Sequence, residues 1–402
     1  MGNPKTVLFA QHYPDGGSIT GLLDLVRGLD PERYAPLVTF PTTNSFVPEF
    51  VAAGVEVVIL DPDAPDPAQG RAPDDRPTLP RSSSLRREAR RVWRRDLPSA
   101  RRLRSVIRQH DVALVHANND VSSNRDAILA AMWTRRPVVV HVRWLAEYRN
   151  DVKHRIDRFL AGRVQRFLFM SQAIASSSAD LGISPDRELV LDDPFHIDDY
   201  AVAAPAGLAD ELGVPGGGRV VLHVGRIIPW KGQDVFLRAM AVVLEAVPDA
   251  CAVLVGSPTD DAGRRFQLEL EALAERLGIS DRVVFAGSRR DVPQLIALSA
   301  VVVHCSTLAE PFGRVVVEAM AGGRPVIGAD EGGVPEIIEA GVTGLLVRPG
   351  DPAVLGDAIT GLLADPEAAE AMGARARQAV AARFSIETHA RAVQAVYDDL
   401  LR

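Results

Sequence analysis

Short apolar runs rich in β-branched residues alternate with stretches of helical periodicity along the whole chain. This alternation is typical of parallel sheets whose strands are connected by crossover helices. Helices are predicted between the strands, for example at Ser18–Gly28, Val121–Trp133 and Gln233–Glu245. The apolar runs predict strands at Thr6–Ala10, Ala35–Thr39, Val55–Leu60, Val112–Ala117, Val138–Val142, Arg166–Phe169, Val220–Val224, Ala252–Val255, Arg282–Phe285, Val301–Cys305, Pro325–Gly328 and Gly344–Val347.

The strand and helix pattern stops near residue 200 and restarts after the small, glycine-rich stretch 201–218. A chain of 402 residues is also too long for one ordinary core. We therefore predict an α/β protein of two doubly wound, Rossmann-like domains, residues 1–197 and 198–385, with a last helix over 386–402 that packs back on the first. Ligands of such sheets bind beyond the carboxyl ends of the strands, so we expect the site in a cleft between facing domains.

The composition indicates a globular protein, with 47% hydrophobic and 24% charged residues. The net charge of −7 disfavours a dedicated nucleic-acid binder. Cys251 and Cys305 lie in apolar runs without zinc-site spacing, so they are interpreted as buried thiols in a reducing compartment. No signal peptide or long apolar span is evident, and we expect a cytoplasmic protein.

An arginine-rich segment follows a proline-rich loop at 61–80. Between residues 81 and 108 there are eleven Arg and two acidic residues, a local charge of +9. Two interpretations stay open: a packed surface helix over 85–108 with a solvated Arg face, or contact with an anionic membrane surface or acceptor. On both interpretations the helix would bury the apolar residues that recur at helical spacing, namely Leu85, Ala89, Val92, Trp93 and Leu97.

Two carboxylates are the first candidates for a functional site. Glu310 follows the strand Val301–Cys305, and Glu318 lies eight residues later on the next predicted helix. Eight helical residues span about 12 Å, whereas a glycosidase pair is roughly 5–9.5 Å apart. Since a carboxylate accepts two hydroxyl hydrogen bonds, the pair suits two hydroxyl-rich groups of one long ligand. The alternative is one loop Glu and one surface-helix Glu without a ligand.

A basic cluster, Arg226 and Lys231, lies between the strand Val220–Val224 and the next helix. Flanking glycines allow close backbone approach, and a helix N-terminus attracts anions, so the cluster suits a diphosphate. Ordinary surface charge is the alternative. Weaker candidates at other strand ends are Gly16 and Gly17 in an Asp-Gly-Gly-Ser loop, the turn Gly332–Glu336, His141, Arg143, Asn118 and Asn119.

These motifs, in this order, resemble those of glycosyltransferase family 4, also described as glycosyl transferases group 1, whose members are retaining enzymes of the GT-B fold. The likeness covers nearly the whole chain and is strongest from Gly225 to Asp351. The motifs are Gly-Arg…Lys-Gly at 225–232, Glu-Pro-Phe-Gly-x4-Glu at 310–318, Gly-Gly-Val-Pro-Glu at 332–336 and Gly-Val-Thr-Gly-Leu-Leu-Val-x-Pro-Gly-Asp at 341–351.

The resemblance implies roles on the donor side. Arg226 and Lys231 would hold the diphosphate of a nucleotide-sugar donor. They would also stabilise the negative charge that develops on the diphosphate as it leaves. Glu318 would hold the ribose hydroxyls. Glu310 would hold hydroxyls of the donor sugar.

The resemblance also implies supporting contacts. Backbone amides near Phe312 and Gly313 would help to hold the donor sugar, and Gly16 and Gly17 would approach the phosphates or the acceptor from the other domain. Many members carry a His at the slot that holds Arg143 here, so His141 and Arg143 both stay candidates for the contact with the donor sugar. The linker reads Asp193-Pro-Phe-His-Ile-Asp198 in place of the family's common Asn-Gly-Ile-Asp.

The function implied is retaining, front-face transfer of a hexose from a nucleotide sugar, with UDP favoured, to a hydroxyl acceptor. Polysaccharide, lipid-linked and natural-product acceptors stay open, and the leaving phosphate would take the acceptor's proton. No cofactor and no metal are expected, because Asp61-Pro-Asp63, similar to a metal-binding Asp-x-Asp, opens the proline-rich loop. The alternatives are a catalytically silent or epimerase-like sugar-nucleotide-binding protein and a phosphorylase.

Overall fold

The computed structural model describes residues 3–13, 17–62, 85–145 and 151–402. Contacts divide the chain into two units. Unit 1 comprises residues 1–195 together with 386–402, and unit 2 comprises residues 196–385. The division therefore lies two residues before the predicted boundary at 197/198.

Unit 1 contains, within the described residues, a parallel sheet of seven strands in the order β3-β2-β1-β4-β5-β6-β7. All six strands predicted for this part of the chain are present. The short β7 was missed because only two of its three residues are apolar. The strands are β1 Lys5–Ala10, β2 Tyr34–Phe40, β3 Glu56–Ile59, β4 Leu114–Asn119, β5 Val138–Val142, β6 Arg166–Phe169 and β7 Glu188–Val190.

The helices of unit 1 cover its sheet, and they include the last helix of the chain. That helix, α15, packs on α1 so closely that a Cβ at Gly28 would lie 2.7 Å from Ile386 Cγ2. Its Val393 and Tyr397 are fully buried in the core of the unit. The helices, numbered along the chain, are α1 Gly17–Gly28, α2 Val47–Ala52, α3 Leu85–Arg91, α4 Leu97–Gln109, α5 Arg125–Thr134, α6 Val152–Ala161, α7 Gln172–Ser177 and α15 Ile386–Leu400.

The arginine-rich segment is helical, but the predicted apolar face is only partly buried, since Val92 and Leu97 are half-buried whereas Ala89 and Trp93 are exposed. A π-helical turn, Val92–Asp96, separates α3 from α4. This wider turn shifts the helical phase between α3 and α4, and Trp93 within it is 69% exposed. The residues that are buried instead are Glu88, Asp96, Ala100, Leu103, Val106 and Ile107.

Arg125 explains why two acidic residues of this segment are buried. Its guanidinium, 1% exposed, lies 2.8 Å from Glu88, 2.7 Å from Asp157 and 3.8 Å from Asp96. These contacts join α3, α5 and α6 around a single buried cation. Burial of charges is tolerated when they are paired, whereas removing one partner leaves the others uncompensated.

Replacing Arg125 with Met should therefore destabilise unit 1 by about 3–5 kcal/mol, because three buried acidic groups would lose their cation. Chemical unfolding measures the loss. Arg102→Met is the matched control: its ion pair with Asp61 is exposed, and its loss should cost less than about 1 kcal/mol. Equal stabilities of the two variants would contradict this account of the buried cluster.

Unit 2 contains a second parallel sheet, of six strands among the described residues, in the order β10-β9-β8-β11-β12-β13. All six strands were predicted. The predicted strand Val301–Cys305 ends earlier, at Val303, so residues from His304 onward belong to the strand-end loop. The strands are β8 Arg219–Val224, β9 Ala250–Val255, β10 Val283–Gly287, β11 Val301–Val303, β12 Val326–Ala329 and β13 Leu345–Val347.

Several helices of unit 2 begin at an aspartate whose side chain accepts from backbone amides of the first turn. Asp260, Asp351 and Asp365 cap α10, α13 and α14 in this way. The core lies between the sheet and these helices. The helices are α8 Leu208–Glu211, α9 Gln233–Ala246, α10 Asp261–Leu277, α11 Val292–Leu298, α12 Arg314–Ala321, α13 Pro352–Ala364 and α14 Pro366–Arg383.

Candidate functional site

The order of strands in unit 2 reverses between β8 and β11, which are neighbours in the sheet. Connections leave such a point toward opposite sides, and the crevice at the carboxyl ends of the two strands binds ligands in open α/β sheets. Lys231 follows β8 and Glu310 follows β11. The Lys231 Nζ atom lies 2.7 Å from Glu310 Oε2, and the two side chains are 16% and 14% exposed. The structure thus brings together two of the predicted site residues.

The same carboxylate oxygen of Glu310 has two further partners that were not identified from the sequence. Ser306 Oγ donates to it over 3.0 Å, and His304 Nε2 lies 3.3 Å away. Burial acts to raise the pKa of Glu310, yet Lys231 and the His304 ring hold that pKa well below its ordinary value. His304 lay inside the predicted strand Val301–Cys305, so nothing in the sequence marked it, whereas Ser306 directly follows that predicted strand.

The ion pair revises how Lys231 and Glu310 relate to each other. Their implied roles assign them to different parts of a ligand, the diphosphate and the sugar, whereas in this structure they bind each other. The Lys231 ammonium also lies 4.4 Å from the centre of the Trp230 ring. An ammonium has three donors, so a ligand that contacts both residues would join an existing pair.

The backbone of Glu310 is held by the glycine-rich turn identified from the sequence. Glu310 pairs with Gly332 in a parallel bridge, and the Gly333 amide donates to the Glu310 carbonyl over 2.8 Å. Gly332 has φ +70°, and a Cβ there would lie 2.2 Å from that carbonyl oxygen. The motif at 332–336 therefore supports the Glu310 loop.

This close approach predicts that Gly332→Ala displaces the Glu310 loop. Gly341→Ala is the matched control, because Gly341 has a similar φ of +77° but nothing within 4 Å of a built Cβ. The control should cost about 1–2 kcal/mol for its left-handed backbone alone. Gly332→Ala should cost at least about 2 kcal/mol more, measured by chemical unfolding. Equal costs would show that the loop accommodates the methyl group.

Glu318 lies on α12 and has different partners. Its side chain is 16% exposed, and Arg314 Nε lies 3.9 Å from one carboxylate oxygen. Burial raises the pKa of Glu318 against the opposing effects of Arg314 and a hydrogen bond from the Tyr200 hydroxyl. Tyr200 was not identified from the sequence, since nothing in its surroundings marks it as a carboxylate partner.

The remaining predicted residues of unit 2 lie close by in sequence but differ in exposure. Arg226 is half-buried just after β8, and its carbonyl accepts from Gln233 Nε2 over 2.7 Å. The Phe312 side chain is only 2% exposed and packs edge-on against Phe384. Gly313 has φ +100°, immediately before α12. Phe312 could therefore contact a ligand through its backbone, but through its side chain only after rearrangement.

In unit 1, Arg143 is buried and is held by an ion pair and a hydrogen bond. It forms an ion pair with Asp193, and its Nε donates to Asn118 Oδ1 over 2.7 Å. Asn118 in turn donates to Gln11 Oε1. The prediction that Asn118 and Asn119 follow the strand is wrong, because both lie within β4 and are buried. Asn118 links Arg143 to Gln11 in the interior, whereas the Asn119 side chain has no hydrogen-bond partner among the described residues.

His141 is fully buried in β5, with its ring stacked on that of His389 from α15 at 5.8 Å. Burial lowers the pKa of His141 well below its ordinary value and that of His389 to about 4. Nearby, His116 Nδ1 contacts the Tyr397 hydroxyl at 2.6 Å, and burial lowers the His116 pKa to about 3. His223 in unit 2 is similar, with a pKa lowered to about 4 by burial.

These buried histidines predict acid sensitivity. The pKa values of these histidines are lower in the folded protein than in the unfolded chain, so below about pH 6.5 the unfolded chain binds protons that the folded protein does not. The free energy of unfolding is therefore highest above about pH 6.5 and falls as the pH is lowered toward 4. Each should contribute a slope of about 1 kcal/mol per pH unit near pH 5. Chemical unfolding as a function of pH measures this slope. His223→Gln should reduce the slope for unit 2, and an unchanged slope would contradict the assignment.

Some predicted features fall outside the described residues. Gly16 and Asp63 lie there, while Gly17 is the exposed first residue of α1 and Asp61 pairs with Arg102. Within the described ranges, no group of three or more His, Cys, Asp or Glu side chains is arranged to hold a metal ion. No helix in the same ranges has the length and apolar character needed to cross a membrane.

Comparison with known proteins agrees with two doubly wound α/β units. The family described as glycosyl transferases group 1 matches residues 208–379, and glycosyltransferase family 4 matches residues 42–190. The lipopolysaccharide core biosynthesis mannosyltransferase LpcC of Rhizobium leguminosarum is 30% identical over 367 residues, which cover 90% of this chain and 92% of that protein.

A D-inositol 3-phosphate glycosyltransferase of Streptomyces scabiei is 32% identical over 294 residues, which cover 71% of this chain. The match spans only 62% of that relative's length. Among solved structures, Anabaena HepE in complex with UDP is 26% identical, with a TM-score of 0.81 and coverage of 98% of this chain and 100% of that one.

The fold and the site thus define a GT-B protein, with two α/β units each built on a parallel, doubly wound sheet. The chain belongs to glycosyltransferase family 4. The resemblance found in the sequence motifs is therefore confirmed.

Proposed function

We propose that this protein transfers a hexosyl group from a nucleotide sugar, with UDP favoured, to a hydroxyl acceptor. The observation that carries the proposal is the ion pair of Lys231 and Glu310 at the strand reversal of unit 2. Similarity to HepE, whose structures contain UDP and UDP-glucose, supports the choice of donor. The similarity to LpcC, named a mannosyltransferase, supports sugar transfer as the reaction.

In this proposal the donor diphosphate binds Lys231 and Arg226 beside the first turn of α9. Positive charge held in place there would stabilise the negative charge that grows on the departing diphosphate, so no metal ion is required for this step. Glu310 keeps Lys231 oriented and accepts hydrogen bonds from hydroxyls of the donor sugar. Its low pKa favours the ionised carboxylate, the form that accepts such bonds.

The other predicted contacts complete the proposal. Glu318 would bind the ribose hydroxyls, with Tyr200 holding the carboxylate in place. Arg143 and His141 were predicted to contact the donor sugar. Their burial and the Arg143–Asp193 pair favour an ordering role at the strand ends of unit 1. We propose retention of configuration at the transferred carbon.

For the acceptor we propose only its chemical class, a molecule with a free hydroxyl group. Polysaccharide, lipid-linked glycan and small natural-product alcohols all present suitable hydroxyl groups. Trp93 is 69% exposed and has exposed arginines on either side in sequence, including Arg90 and Arg94, which supports contact with an anionic membrane surface or an anionic acceptor. A catalytically silent sugar-nucleotide-binding protein is the competing function, and it would bind the donor without turnover.

Lys231→Ala should lower turnover of the preferred donor by about 10²–10³, because the departing diphosphate would lose a fixed positive charge. Release of nucleoside diphosphate from UDP-, GDP- and dTDP-sugars is the measurement, with and without a chelator. Lys5→Ala is the control, since the Lys5 ammonium contacts only the Leu401 carbonyl among its described hydrogen bonds, and turnover should be unchanged. Full activity of Lys231→Ala would contradict the diphosphate role, and loss of activity in chelator would contradict metal independence.

A further inference from the structure

Two buried side chains that the proposed function does not use, His304 and Ser306, contact the carboxylate of Glu310. They lie in the loop that follows β11 and are 3% and 1% exposed. His304 Nε2 is 3.3 Å and Ser306 Oγ is 3.0 Å from Glu310 Oε2, and these two donor atoms are 3.2 Å apart. A polar cluster shielded from solvent is thus attached to a candidate ligand residue, and all of its members belong to unit 2.

The surroundings of the His304 ring determine which nitrogen donates to Glu310. Because Glu310 is an ionised carboxylate, it only accepts hydrogen bonds, so Nε2 of the ring must carry a proton. Nδ1 lies 3.5 Å from the Ala329 amide, a group that only donates. The His304 backbone is held as well, since its amide donates to the Ile327 carbonyl over 2.8 Å. The ring is therefore fixed with an N–H group directed at Glu310.

The donors to the Glu310 carboxylate all contact the same oxygen. Lys231, His304 and Ser306 each lie within hydrogen-bond distance of Oε2. Among the described residues no donor contacts Oε1, and Oε1 is not shielded from solvent. One oxygen of the carboxylate is therefore held by the protein, and the other is left to accept hydrogen bonds from a ligand.

Lys231 alone would hold Glu310 poorly once a donor is bound. In the proposed function the same ammonium binds the diphosphate, and it is a point charge on a flexible four-carbon stem. A second anion attracts the ammonium and weakens its hold on the carboxylate. The hydroxyl of Ser306 and the ring of His304 are buried on short side chains beside Glu310, so a diphosphate that binds Lys231 does not displace them.

We propose that His304 and Ser306 are positioning residues that hold Glu310 through Oε2, so that Oε1 accepts a hydroxyl group of the donor sugar. This inference rests on the proposed function, in which Glu310 binds the sugar and Lys231 the diphosphate. The two residues act on recognition of the sugar and not of the nucleotide, because a free nucleoside diphosphate lacks the sugar that Oε1 contacts. They need not touch the donor themselves.

Two substitutions of His304 test this role. A Gln amide nitrogen occupies a position near that of Nε2 and can still donate to Glu310, whereas the shorter Asn amide lies near the position of Nδ1 and cannot. His304→Asn should weaken binding of the nucleotide sugar by about 10- to 100-fold, because a hydrogen bond to a charged group is lost. Its affinity for the matching free nucleoside diphosphate should not change. His304→Gln should restore the affinity for the nucleotide sugar to within about threefold of that of the unchanged protein.

Calorimetry measures both affinities, with the donor that gives the highest turnover among UDP-, GDP- and dTDP-sugars. His110→Asn is the matched control, since His110 also pairs with a carboxylate, that of Glu56 in unit 1. This control should change neither affinity.

The outcomes separate this inference from the proposed function. If the unchanged protein turns over none of these nucleotide sugars, the proposed function fails and the inference fails with it. If it turns one over, the inference alone is overturned by any of three results: His304→Asn binds that sugar normally, it loses affinity for the free diphosphate equally, or His304→Gln is as weak as His304→Asn. If His304→Asn does not fold, Ser306→Ala decides. It should weaken binding of the nucleotide sugar alone by about 3- to 10-fold, and unchanged binding would overturn the inference.

Discussion

Parallel pairing requires every connection between neighbouring strands to cross a face of the sheet, so helices must cover both faces. In each unit the chain winds outward from a central pair of strands, β1 and β4 in unit 1 and β8 and β11 in unit 2. Loops that leave these two strands diverge, and the space between them is left without main-chain cover. The candidate site residues Lys231 and Glu310 follow from this constraint in unit 2, and the His12–Asp126 ion pair lies at the corresponding position in unit 1.

Buried ion pairs hold the chain segments near these positions in place. Arg125, Arg143 and Lys231 each lie beside one or more acidic groups in a largely desolvated place. Such pairs contribute little net stability compared with apolar packing, but losing one member is costly because the other stays buried and uncompensated. They therefore fix where the loops lie. Glycines with close neighbours act in the same way: Gly21 leaves room for the Arg143–Asp193 pair, and Gly332 for the Glu310 carbonyl.

Much of the fold was predictable, because alternation of apolar runs is a local property of the chain. Every predicted strand is present, and the glycine-rich turn at 332–336 lies where its motif indicated. The failures share a physical cause. The face that the arginine-rich helix buries is set by one π-helical turn and by Arg125, a residue from another helix, so Trp93 is exposed and Glu88 is not. Asn118 and Asn119 were placed after β4 because polar residues seldom continue a buried strand, yet both are buried within it, and Asn118 bonds to Gln11 and Arg143 in the interior.

By itself, the sequence determined the strands, the helices, the two-unit organisation and the family motifs, since each depends on residues close together along the chain. Only the tertiary structure decided the partners. Lys231 and Glu310 are 79 residues apart, and His12 and Asp126 are 114 apart. Hydrophobic periodicity carries no information about which of many carboxylates a given cation meets. That choice is made where parallel strands end side by side, because the order of strands in the sheet brings distant loops within reach of a hydrogen bond.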